Sequence, residues 1–195
     1  HYEARNASPD RSHNETFDSL VTTGLLGFGA YILLFISIFY YGLKLLGLIQ
    51  TTGERNAFIV LWLVGGFVAA IGFGLWRGWN FIGVAMPAGM IVGFFIFLIA
   101  DVLRTPSNTT PHRSVSMGNA LWLTALIAAF IAHFIEIHFG IAIVSTRTYF
   151  WFYAALLVVI GLNKVTEATS QVAPAPRPGG EETAPTAAQR RRQRR

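Results

Sequence analysis

Asp10-Arg11-Ser12-His13-Asn14-Glu15-Thr16-Phe17-Asp18-Ser19 is polar, and Leu20-Val21-Thr22-Thr23-Gly24-Leu25-Leu26-Gly27 opens an apolar run that continues to Ile49. A run of that length exceeds the roughly 20 residues that a bilayer requires. The stretch therefore reads as an extramembrane loop passing into a membrane helix. Ser12-x-x-Glu15 has the spacing of a capping box and predicts a helix start at His13. On a straight helix from His13, Gly24 falls about 20° from the histidine and Gly27 about 40° to the other side. Both glycines would then lie on one face below the imidazole, leaving a smooth track for a lipid chain or a second helix. A histidine in the first helical turn meets the positive end of the macrodipole, which disfavours the imidazolium, whereas Asp10 and Glu15 act in the opposite sense. An imidazole at that edge suits a general base, but the residues alone favour a surface histidine with no chemical role.

Composition extends this reading to the whole chain. Of 195 residues, 53% are hydrophobic and 13% charged, about half the charged share of a soluble domain. The fold class is all-α: a polytopic transmembrane bundle of about five helices with a disordered basic C-terminal tail. Residues 1–19 form the end of an external loop, 20–165 the membrane domain and 166–195 the tail. Helices are expected over 20–43, 57–75, 81–100, 118–137 and 148–162. Gly66, Ala70 and Gly74 line one face of the second helix, and Ala85, Gly89 and Gly93 one face of the third. Small-residue stripes let membrane helices approach closely, so these two are expected to meet. The chain has no cysteine, which removes disulfides and thiolate metal sites. His133-x-x-Glu136 offers two ligands on one helical face without a third, so no metal and no cofactor is expected.

Charge sets the orientation. With the C-terminus in the cytoplasm, Lys44, Arg55, Arg104, Arg113, Lys164, Arg177 and the five arginines between Arg190 and Arg195 are inside. Only Arg5, Arg11, Arg77 and Arg147 are then outside, as the positive-inside rule favours. Most of that contrast comes from the tail. Arg77, between Trp76 and Trp79, reads as an interfacial anchor or as a contact to a lipid pyrophosphate, since a guanidinium matches phosphate oxygens. Glu136 is expected near Arg147. The tail has charge for anionic lipid, but the chain shows no fold for nucleic acid.

His13-Asn14, nine residues, then Gly24-x-x-Gly27 resembles the signature of the bacterial O-antigen ligase and polymerase superfamily, where it joins a periplasmic loop to the next membrane helix. Asp10-Arg11, His138-Phe139-Gly140 and Thr146-Arg147-Thr148-Tyr149-Phe150-Trp151 also resemble C-terminal segments of that family, and the likeness covers about residues 5–165. Phe28-Gly29 departs from the Thr pair that follows the second glycine in some ligases. The resemblance implies a bacterial inner-membrane glycosyltransferase that moves a glycan from a polyprenyl-pyrophosphate carrier to an acceptor hydroxyl. His13 would be catalytic, and Arg11, Asn14, Arg77 and Arg147 would bind substrate. Other arginines of the family lie in an upstream loop, so this chain alone is expected to lack part of the machinery. The alternative is a non-catalytic helical subunit that packs, through its glycine stripes, against upstream helices or partner subunits.

Overall fold

The computed structural model describes residues 14–104, 117–140 and 143–172, with side chains as far as Asn163. His13 and Arg11 lie outside the described residues, as do Arg113 and the tail from Ala173 onward. Five helices follow in order: α1 (Glu15–Leu45), α2 (Thr52–Arg77), α3 (Ile82–Arg104), α4 (Met117–Glu136) and α5 (Val144–Val172), with a short 3-10 turn at Trp79–Phe81 between α2 and α3. All five are long and apolar enough to cross a membrane. The architecture is all-α, that of an integral membrane protein, and no strand occurs among the described residues.

Helix α1 departs from the straight rod expected of it. It begins at Glu15, two residues later than predicted, with Asn14 as the N-cap in extended conformation. It then breaks at Gly24, where φ is 69° and ψ is −172°. That region of backbone space is essentially restricted to glycine. The break divides α1 into two arms, residues 15–23 and 25–45. Thr22 and Thr23 donate their hydroxyls to the carbonyls of Asp18 and Ser19, a back-bonding pattern that accompanies bent helices. The Thr23 side chain occupies the place where a Cβ on Gly27 would stand. The two glycines therefore build a corner, and the predicted smooth track below His13 is absent. The second arm has about 21 residues and rises about 31 Å, which is enough for the hydrocarbon core.

The corner has a consequence for distances. Tyr31 lies sixteen residues beyond Glu15, so a straight helix would separate them by about 24 Å. Instead, both line one small cleft. The start of the first arm folds back beside the second arm at Tyr31, and Val21 and Leu26 at the bend are largely exposed, at 83% and 90%.

Helices α2 and α3 make the most extensive helix pair. Helix α2 starts at Thr52 because Thr51 and Glu54 form a complete capping box, five residues before the predicted start. The predicted α3 stripe does pack closely on α2, but against Gly65 and Leu61 rather than the predicted α2 stripe: a Cβ on Gly89 would stand 2.2 Å from the carbonyl oxygen of Gly65, and one on Gly93 would stand 2.1 Å from that of Leu61. Gly66 instead faces Met90, and Gly74 lies under the Trp79 ring. Gly78, at φ 102°, ends α2 and lets the chain turn into α3.

The centre is aromatic. Phe35, Phe39, Phe58, Trp62, Phe94, Phe130 and Phe134 are buried together, with Phe35 and Phe134 edge to face at 4.7 Å between centroids. In lipid this packing contributes through dispersion and shape rather than through escape from water.

The chain divides into two units, 1–161 and 162–195. In the second, the described part is the end of α5, which continues past its predicted end at Leu162 to Val172. The extra turns are polar but free of glycine and proline.

Candidate functional site

The start of α1, the start of α3, the end of α4 and the start of α5 converge at one end of the bundle, and proline chemistry explains part of how. Pro87 lies inside α3. It has no N–H, so the carbonyl of Gly83, four residues earlier, has no helical donor. Asn14 supplies one: its side-chain amide donates to the Gly83 carbonyl at 2.9 Å. The same amide nitrogen donates to the His138 carbonyl at 2.9 Å, while its oxygen accepts from the Phe17 N–H at 3.2 Å. Gly83 must be glycine here, because a Cβ would stand 2.7 Å from the Asn14 oxygen and 2.5 Å from the Phe17 ring. The Glu15 N–H bonds the Ile137 carbonyl at 3.0 Å. One buried asparagine thus ties α1, α3 and the turn after α4 together, and meets the carbonyls of Gly83 and His138.

His138 sits in that turn and is buried. Its Nδ1 faces the Phe134 carbonyl, an acceptor only, so the proton resides on Nδ1. Nε2 is then the acceptor for the Tyr31 hydroxyl at 3.3 Å. Burial holds the imidazole down to about 4, well below the usual histidine value. The ring is neutral at pH 7 and acts as a hydrogen-bonded strut between the second arm of α1 and the end of α4.

Beside this strut lies a cleft of about 150 Å³ between α1, α4 and α5. Glu15, Tyr31, His133, Arg147, Phe150 and Trp151 contribute to its walls. Arg147 Nη2 approaches Glu15 Oε1 at 3.4 Å. His133 Nδ1 is 3.7 Å from Glu136 Oε2, and the imidazole lies against Phe150 at 5.1 Å between centroids. The expected pairing of Glu136 with Arg147 is therefore replaced by two pairs, Glu15 with Arg147 and His133 with Glu136. The backbone bond from Glu15 to Ile137 brings the carboxylate to the start of α5, while Glu136 is bonded within its own helical turn. Among the described residues no group of three or more His, Asp or Glu is placed to hold a metal ion.

The structure brings Asn14 and Arg147 to the same end, linked through Glu15. Arg77 lies at the end of α2 with its guanidinium 4.4 Å from the centre of the Trp76 ring, outside the cleft. Sequence reasoning missed Glu15 and Tyr31 as cleft residues. A signal for Tyr31 was present: Thr22-Thr23-Gly24 is a break pattern, and a break is what brings Tyr31 back to Glu15. Pro87 likewise signals an orphan carbonyl at Gly83, though not which donor meets it. No protein-family model, no curated protein and no solved structure matches this chain.

Proposed function

We propose that this chain corresponds to the C-terminal part of a membrane glycosyltransferase similar to the O-antigen ligases. The observation that carries the reading is that the motif residues shape both ends of one helical arm: Asn14 caps and clamps its start, while Gly24 makes the bend at its far end and Gly27 receives the Thr23 side chain. His13 is covalently next to the clamp. In the proposed reaction His13 takes the proton of an acceptor hydroxyl. The acceptor oxygen bonds to the anomeric carbon, and the bond from that carbon to the pyrophosphate oxygen breaks. Arg11 and Arg77 hold the charge of the departing lipid pyrophosphate. Asn14 acts by positioning, since both its amide hydrogens face backbone carbonyls. The proposed setting is the bacterial inner membrane, with the polar end outside and the C-terminus in the cytoplasm.

His13→Ala in the full-length protein is expected to abolish glycan transfer while the protein still inserts in the membrane. Wild-type transfer by that variant removes His13 from the mechanism. A second reading, a non-catalytic helical subunit, draws on the apolar groove of about 510 Å³ along α2 and α3, flanked by Gly65, Gly89 and Gly93. It accounts for the groove but not for the polar corner.

A further inference from the structure

We propose that the cleft between α1, α4 and α5 is a binding subsite for one uncharged sugar ring. The inference rests on the glycosyl-transfer reading for its substrate class, but the cleft's own chemistry selects among ligands. Its floor is aromatic and its polar groups are few and convergent, the usual make-up of a small-molecule site. A volume of about 150 Å³ is that of about five water molecules, room for a single ring and not for a helix or a chain of sugars.

Charge narrows the choice further. Arg147 is already faced by the Glu15 carboxylate at 3.4 Å, so an incoming phosphate would be set beside a negative oxygen. A cation would meet the guanidinium in the same way. A purely apolar ligand would strip water from the ion pair and return nothing to it. A polyhydroxyl ring avoids all three penalties. Each hydroxyl both donates and accepts, so neighbouring hydroxyls can donate to Glu15 and accept from Arg147 without separating the pair. Trp151 lines the cleft with its ring edge-to-face against Phe150, yet is 59% exposed, and its apolar face suits the C–H face of a pyranose. The Tyr31 hydroxyl, which donates to His138, retains lone pairs that can accept at the inner end. On this assignment Arg147 recognises sugar hydroxyls, and the lipid phosphates are held elsewhere.

The test uses the intact chain in lipid nanodiscs, with methyl glycosides of glucose, galactose and N-acetylglucosamine as probes and inorganic pyrophosphate as the competitor. Binding is read by saturation-transfer NMR. At least one glycoside is expected to bind at millimolar concentration, and pyrophosphate is expected not to displace it. Glu15→Gln should weaken binding about tenfold or more, as the loss of a charged hydrogen-bond partner does, and Trp151→Ala should weaken it by about tenfold through loss of the aromatic face. Trp151→Phe, which keeps an aromatic face, should retain most of it. Trp151 is exposed, so its replacement leaves the core packed. The thermal unfolding midpoint of each variant is measured alongside. Absence of glycoside binding, displacement by pyrophosphate, or unchanged binding in folded Trp151→Ala and Glu15→Gln overturns the proposal. These outcomes are independent of His13→Ala: glycoside binding with a transfer-competent His13→Ala keeps the cleft and rejects the reaction, and the reverse pattern does the opposite.

Discussion

At the scale of single residues, the polar end depends on one amide and one imidazole. Removing the Asn14 side chain leaves the Gly83 and His138 carbonyls without it as donor, so Asn14→Ala is expected to cost about 1–3 kcal/mol in unfolding measurements. Pro87→Ala restores an N–H aimed at the Gly83 carbonyl. The double variant should therefore lose less than the two single losses combined, and strict additivity in that cycle would break the link between proline and asparagine. His138 adds a pH dependence with a defined sign. Its folded value is lowered to about 4, while an unfolded histidine titrates near 6.5. The unfolded chain thus takes a proton that the folded one refuses. Full stability is present above about 6.5 and falls with pH, reaching a loss of about 3 kcal/mol by pH 4. His138→Gln should flatten that slope in chemical unfolding between pH 7 and pH 4. An equally steep slope in the variant would assign it to other groups. His133 and Glu136, which a sequence reading pairs by their spacing alone, do sit together. His138 could not be read this way, because its partner Tyr31 is 107 residues away.

At the scale of elements, the break in α1 decides what the bundle end contains. Gly24→Ala puts a Cβ into open space, so its cost is conformational alone, about 1–3 kcal/mol. Gly29→Ala also enters open space but at a position with ordinary helical geometry, and should be neutral or stabilising by up to about 1 kcal/mol. Equal effects of the two in thermal unfolding would mean that the corner is not held by Gly24. The helices themselves were legible from apolar run length. Their boundaries were less so where a polar segment is helical, as at Thr52 and at the end of α5, because capping and the absence of proline count for more there than polarity. The meeting of α2 and α3 was legible from glycine spacing, but not its register. Gly65 and Gly66 are adjacent in sequence, and only the crossing of the helices determines which of them takes the backbone contact.

At the scale of the whole molecule, five spans place the α1–α2 turn and the α4–α5 turn on opposite sides of a membrane. The chain has no cysteine, so single cysteines introduced as Gly53→Cys and Gly140→Cys report their side without background. An impermeant maleimide is expected to label one from outside and the other only after permeabilisation, and labelling of both from the same side would contradict the arrangement. What the sequence determined by itself is the class: its apolar runs exceed what a soluble core can hide, and in lipid such runs must be helices to satisfy their own backbone bonds. It also determined that small residues would let α2 and α3 touch. The cleft was decided only in the tertiary structure. Glu15, Tyr31, His133 and Arg147 come from three helices, and no local pattern encodes their meeting. They meet because one glycine turns α1 back on itself and because a proline in α3 leaves a carbonyl that an asparagine from α1 can satisfy.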